Sequence, residues 1–286
     1  MNIARLEVYR GTPIIDNVPE FTVLKADRLG EEIIKKVNSQ YKGTPAELVS
    51  NPDRNTPFRE SNPFNLFAVD SAARDLGWRV MLPEEAQLLL DLDKMPERDS
   101  TYKDLGLTMD FSGKNHELAL DIYNRLAQEE RDLDRFPAVF TGLVPIRSDF
   151  GGYGLLFETT PYAQMRTAKV LTSSKGNFDN DDVELLRSGL PSKLGDGNRR
   201  LYTLHQNKPC LDNLGVGWLY LGGDSDLGSV GGGLVDSDEG GRVVLVSGEA
   251  TSQKISQYLI NLHRQRRDLE AQLQKVKEAE ELIRKK

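Results

Sequence analysis

Few residues in this chain could carry chemistry. There are three histidines, His116, His205 and His263, and one cysteine, Cys210. A transition-metal site gathers several nitrogen or sulfur ligands, and these four are scattered. Leu204-His-Gln-Asn-Lys-Pro-Cys210 does place His205 near Cys210. A histidine that takes a thiol proton can create a nucleophile. A lone cysteine is more often a small buried hydrophobe, and we favour that reading here. Gly151-Gly-Tyr-Gly154 lacks the phosphate-loop signature and reads as a turn. The aspartates between Asp224 and Asp238 raise calcium. An EF-hand loop needs oxygen ligands at positions 1, 3 and 5, Gly at 6 and Glu at 12. Counting from Asp224 puts Gly228 at position 5, Ser229 at 6 and Val235 at 12; counting from Asp236 puts Ser247 at 12. Both registers fail. We expect no catalytic residue, no metal and no cofactor.

What stands out instead is composition. Between Gly222 and Gly241 there are eight Gly, four Asp and three Ser in twenty residues. Glycine permits positive φ, and Asp and Ser bond nearby backbone, so the segment favours turns. It ends in Arg242-Val-Val-Leu-Val246, which reads as a buried strand. Long loops between packed elements are often binding surfaces. The expected ligand face runs over 219–241, through Tyr220, Gly222, Gly223, Asp224, Asp226, Gly228, Val230, Gly231, Gly232, Asp236 and Asp238.

The elements that must hold this face are mixed. Phe21 to Leu24 predicts a strand, and Asp27 can cap a helix through Leu29, Ile33, Ile34 and Val37. Asn51-Pro, Thr56-Pro and Asn62-Pro punctuate a loop, with a boundary near residue 60. A helix over 67–77 stops at Gly77; a strand over 78–82 and a helix from Pro83 follow. Strands are expected at 105–111, 138–145, 153–157, 169–171, 200–203 and 217–221, and helices at 116–130 and 179–187. Trp78 and Trp218 read as core anchors. Without a repeated βαβ period, the pattern favours α+β.

The tail has its own periodicity. Ile255, Leu259, Leu262, Arg266, Leu269, Leu273, Val276, Glu280 and Ile283 follow alternating steps of four and three. That is a coiled-coil seam, so the tail predicts a long helix. Self-association through 255–283, giving a homo-oligomer, is the first choice; docking on its own body is the other. From Ala250 onward nine Lys or Arg face five acids, while the preceding 249 residues carry 28 basic and 39 acidic side chains. An acidic body argues against nucleic acid, which needs clustered cations. No apolar run is long enough for a membrane span. A single cysteine and the absence of a secretion-signal pattern point to a cytoplasmic setting.

Two passages resemble the formylglycine-generating-enzyme type of C-type-lectin fold, a group that includes variable proteins diversified by retroelements. Asp75-Leu-Gly-Trp-Arg-Val-Met-Leu-Pro-Glu-Glu-Ala86 is similar to that family's helix, Gly and RLPTEAEW passage. Gly222-Gly223 and the later Gly241-Arg242-Val-Val are similar to its closing GGSW and GFR segment. No Trp follows Ala86, and no Ser-Trp follows Gly223. The resemblance implies a C-type-lectin-like domain over 61–247, with a small mixed region before it and the coiled-coil helix over 248–286. It implies a framework of Leu219, Leu221, Leu227, Ser229, Leu234, Ser237 and Arg242, with diversified positions between. Adenine randomisation of an Asn codon cannot give Lys, Glu, Gln, Met or Trp, and only Glu239 of those types occurs between Gly222 and Gly241. The family's oxidases rely on paired cysteines, and Cys210 has no second cysteine to pair with. The expectation is a non-enzymatic module that binds a protein or other macromolecule. A structural component of a viral or surface assembly is the alternative, and a redox enzyme of the formylglycine-generating type is a third.

Overall fold

The computed structural model describes residues 20–48, 57–91, 93–97, 101–149, 152–172, 175–178, 189–224, 226–230, 233–235 and 240–247, with Leu273 and Lys277. The predicted helix over 179–187 lies outside these residues. So does the coiled-coil tail, apart from Leu273 and Lys277, which are both helical.

The chain opens with β1 (Phe21–Val23) and α1 (Arg28–Tyr41). Asp27 caps α1 as its type suggests, with Oδ1 accepting the Gly30 N–H at 3.0 Å. The next helix, α2 (Pro63–Arg74), starts before the expected Phe67. Asn62 is its cap rather than loop punctuation. The Asn62 side chain accepts the N–H of Phe64 and Asn65, and Asn65 Oδ1 accepts the Asn62 N–H at 2.9 Å. This reciprocal box satisfies donors that would otherwise be orphaned, and Pro63 has no such donor to lose. Phe64 of α2 stacks on Phe157 with centroids 4.7 Å apart, and Phe67 meets the same ring edge-on.

Next come β2 (Trp78–Val80) and α3 (Pro83–Asp91). A buried ion pair fixes the turn between them. Arg79 grips both carboxylate oxygens of Glu85, one at 2.6 Å. Glu85 Oε2 also accepts the Leu82 N–H at 2.8 Å, which closes the start of α3. Behind it, Asp70 accepts the Val80 N–H at 2.8 Å and pairs with Arg74 at 3.0 Å.

Seven more strands and one helix complete the body: β3 (Tyr102–Asp110), α4 (His116–Arg125), β4 (Ala138–Arg147), β5 (Leu155–Thr167), β6 (Lys175–Phe178), β7 (Arg199–Thr203), β8 (Gly215–Leu221) and β9 (Leu227–Val230). The short β10 (Gly241–Arg242) and then β11 (Val244–Ser247) follow. Helix α4 ends before the expected Glu130. Arg131 bonds the carbonyls of Leu126 and Asn124, taking over acceptors left by the helix end. The expected strand at 169–171 is a 3-10 turn, tied down where Lys169 Nζ bonds the Phe136 carbonyl at 2.6 Å. Strand β4 runs past Pro145. There it pairs with β5 alone, since β3 meets β4 only at Ala138 to Phe140, and a proline is tolerated where a strand has one free edge.

The protein is thus a mixed α and β fold with two sheets. The large one has the order β5-β4-β3-β8-β9-β7-β6, with β10 added parallel to β3. The small one has the order β1-β11-β2, both pairings antiparallel. Each face of the large sheet carries a hydrophobic cluster. Leu107, Met109, Phe140 and Val216 pack with α1, α2 and α4, and Leu105, Val139, Leu219 and Leu227 pack with α3. Ile33 and Val37 of α1 share a cluster with Phe64 and Phe67, so packing runs continuously across residue 60. Among the described residues no helix is long and apolar enough to cross a membrane.

Two outcomes follow from the buried charges. Truncating Glu85 to Ala strands the buried Arg79 cation and should cost about 3–5 kcal/mol in urea unfolding. Combining Arg79→Met with Glu85→Leu, which removes both charges at once, should recover most of that. A loss on the scale of a solvent-exposed pair, about 1 kcal/mol or less, would contradict the buried geometry. Glu84 gives a pH test. Burial raises its carboxyl above the usual range, against the opposing pull of Arg166, 2.6 Å away. The folded chain therefore holds that proton more tightly than the unfolded chain. Its contribution to stability is full below the unfolded pKa and is lost as pH rises through the folded one. Glu84→Gln should be at least as stable as wild type at neutral pH, with the difference vanishing on acidification. Denaturant midpoints across pH check this; a Gln variant that loses stability only at neutral pH would reverse the sign.

Candidate binding face

The register of four neighbouring strands builds one row of side chains. Asp104 of β3 lies opposite Tyr220 of β8, Tyr220 opposite Gly228 of β9, and Gly228 opposite Tyr202 of β7. Residues two apart share a face, so Tyr102 and Trp218 join that row. Tyr102 and Trp218 have ring centroids 5.0 Å apart, Trp218 and Tyr220 5.0 Å, and Tyr102 and Tyr220 5.8 Å. All three are half-buried, and Tyr202 beside them is 38% exposed. The result is an aromatic shelf at one end of the large sheet.

Each ring is held from beneath or beside. Trp218 Nε1 donates to the buried Asp104 carboxylate, which fixes the indole. The Tyr102 hydroxyl donates to the Ser61 carbonyl at 3.2 Å. Tyr220 lies directly over Gly228: a Cβ there would sit 2.3 Å from the ring carbon that bears the hydroxyl. Burial, together with Tyr202 and Asp226, raises the Tyr220 phenol above its ordinary range, so it stays protonated. On the opposite face, Thr108 and Ser229 share a hydroxyl hydrogen bond of 2.7 Å in the buried interior.

The hairpin between β8 and β9 forms the rim. The Gly222 N–H donates to the Asp226 carbonyl at 2.7 Å, and Asp226 Oδ1 accepts the Arg200 N–H at 2.8 Å. Arg200 reaches the Tyr202 hydroxyl at 3.1 Å. Part of the expected loop is therefore strand: β9 occupies 227–230 and pairs on both edges.

The framework positions within the described residues, Leu219, Leu221, Leu227, Ser229, Leu234 and Arg242, are all buried. Ser237 lies outside the described residues. Of the predicted face, Asp224 is exposed, and Tyr220, Gly222, Gly223, Asp226 and Val230 are half-buried. Gly228 is buried, and its role is to seat Tyr220 rather than to meet a ligand. Gly231, Gly232, Asp236 and Asp238 lie outside the described residues. Asp226 is engaged with β7, so Asp224 is the tip carboxylate that projects outward. Sequence reasoning missed Tyr102 and Tyr202; Trp218, read as a core anchor, does pack against the core cluster and also joins the shelf. Trp218 and Tyr220 at alternate positions were a usable signal; their partners on β3 and β7 needed the register.

The other chemistry-bearing residues do not converge on this face. His116 Nδ1 is 2.8 Å from the Leu214 carbonyl at the start of α4. Cys210 is half-buried at the head of a 3-10 turn. Among the described residues no three His, Cys, Asp or Glu side chains gather as a metal site would require. Comparisons with family models, curated proteins and solved structures return no match for the chain.

Gly228→Ala tests the seating of the shelf. The added methyl must lift the Tyr220 ring, an overpacking that should cost about 1–3 kcal/mol. In a Tyr220→Ala background the same change should cost much less, because the two residues are in contact. Urea unfolding of the four proteins gives the coupling. Additive losses would mean that the ring does not rest on Gly228.

Proposed function

We propose that this chain is a non-enzymatic binding protein whose working face is the aromatic shelf and the adjoining hairpin rim, and whose ligand is a protein or other macromolecule. The observation that carries this reading is the packed trio Tyr102, Trp218 and Tyr220, held in register on strands with Tyr202 exposed beside it. Tyr, Trp and Arg dominate binding hot spots. Tyr with Ser, Gly and small polar neighbours also suits adaptable recognition surfaces, where rigid rings supply area at low entropy cost. Anchoring on strands gives such a site a precision that loops lack.

A C-type-lectin-like identity of the formylglycine-generating type is part of the same proposal. It is supported by the Arg79–Glu85 pair inside the Arg79-to-Ala86 passage and by β11, which follows Gly241-Arg242 and pairs with β1. Burial of the framework Leu and Ser, beside the exposed Asp224 and the half-buried Gly222, Gly223, Asp226 and Val230, supports a diversified face. A reverse transcriptase gene beside a near-identical template repeat would be the genomic mark of that diversification.

Selection of displayed peptides and small domains against the full chain tests the binding reading. Tyr202→Ala and Asp224→Ala change exposed groups, so each should alter stability by about 0.5 kcal/mol or less. Binders should nonetheless lose affinity to Tyr202→Ala by at least about 2 kcal/mol, the scale of a hot spot. Binders that recognise the wild type and both variants equally would show that the working face is elsewhere.

A further inference from the structure

A cavity of about 240 Å³ opens beside the shelf. Thr44, Pro45, Glu47, Phe58, Glu60 and Val235 line it. Its floor is fixed by the capping box of α2, since Asn62 and Asn65 also reach it. One residue joins cavity and shelf: Ser61, next to Glu60, accepts the hydroxyl of Tyr102. The same segment that supplies the hairpin also supplies a wall, with Leu234 buried in the core and Val235 at the cavity.

The size and lining define an occupant. Drug-sized ligands fill about 300–1,000 Å³, so this cavity suits a single side chain. Phe58, Pro45 and Val235 offer apolar contact along its length. Glu47 and Glu60 offer negative charge, and no Lys or Arg is among the described lining residues. Neither carboxylate is in an ion pair among the described residues. Glu47 accepts the Gly43 N–H at 2.7 Å, which orients it without neutralising it. An apolar stem with a cationic head is the side chain of Lys or Arg. Outside its basic tail, the chain carries 39 acidic against 28 basic residues, which favours approach of a cationic partner.

We propose that this cavity takes one lysine or arginine side chain of a polypeptide partner docked across the shelf. The proposal rests on the binding reading above for the partner's position, but the cavity itself can be tested alone. The probes are the N-acetyl methylamides of lysine, arginine and norleucine, titrated into the ¹⁵N-labelled full chain. The two basic probes should give saturable shifts, in the millimolar range, at the amides of Gly43, Asn62 and Val235. The norleucine probe should not. Glu60→Gln and Glu47→Gln should each weaken the basic probes several-fold, and added salt should do the same. Gln at 47 keeps the acceptor for Gly43, so unfolding midpoints should hold. Absence of saturable shifts, equal binding of norleucine, or indifference to both Gln variants would overturn the proposal. Basic probes that bind while selected binders ignore Tyr202→Ala would leave the cavity standing and remove the shelf. The converse result would remove the cavity alone.

Discussion

The fold depends on β11 being placed between β1 and β2. Four consecutive residues do this work. Val243 and Leu245 enter the cluster beneath α1 and α2, while Val244 and Val246 enter the cluster beside α3. A strand alternates its side chains by geometry alone, so one short segment stitches both cores. It also pairs residues far apart in sequence, such as Phe21 with Val246. Such non-local pairing is entropically costly to form and slows folding.

Rigidity at the shelf comes from what lies beneath and beside its rings. Tyr220 cannot sink into the sheet, because Gly228 leaves only a flat bed beneath it. Nor can Trp218 rotate freely, because its N–H is committed to Asp104. Asp104 is buried, and a buried carboxylate is tolerated only where donors meet it. The polar atoms under the shelf therefore act as fixtures for rings that stay only partly buried. A preformed surface loses little conformational entropy on binding.

Much of this was legible in the sequence, and the failures have physical causes. Asp27, Gly77 and Pro83 marked helix ends correctly because capping chemistry is local. Asn62-Pro63 was mistaken for a loop signal, since the same dipeptide serves a turn and a helix start. Strand β9 was hidden because Gly228 and Ser229 have little strand preference. Their place is set by cross-strand neighbours, Tyr220 above Gly228 and Thr108 beside Ser229. Leu219, Leu221, Leu227 and Leu234, which the resemblance placed in a framework, are buried; from spacing alone the apolar residues of that segment looked too sparse to reach a core. That Tyr102 meets Trp218 was not legible, because the offset between β3 and β8 includes a bulge at Asp104 to Gly106 that no local pattern announces.

Charge separates the acids paired inside the fold from those that line the cavity. Inside the fold, three buried carboxylates are matched with arginines: Asp70 with Arg74, Glu84 with Arg166, Glu85 with Arg79. Each match offsets a desolvation cost that an isolated charge could not bear. Glu47 and Glu60 stand differently. They line a cavity, where water still solvates them, and they have apolar neighbours instead of arginines. A partner cation entering there would strip that water from both sides. The attraction has to exceed the loss, which favours a head group held by two carboxylates over one held by a single carboxylate. Specificity follows from the same balance. An apolar side chain of equal length would desolvate both glutamates and return no charge, so the cavity would reject it by leaving its own carboxylates unmatched.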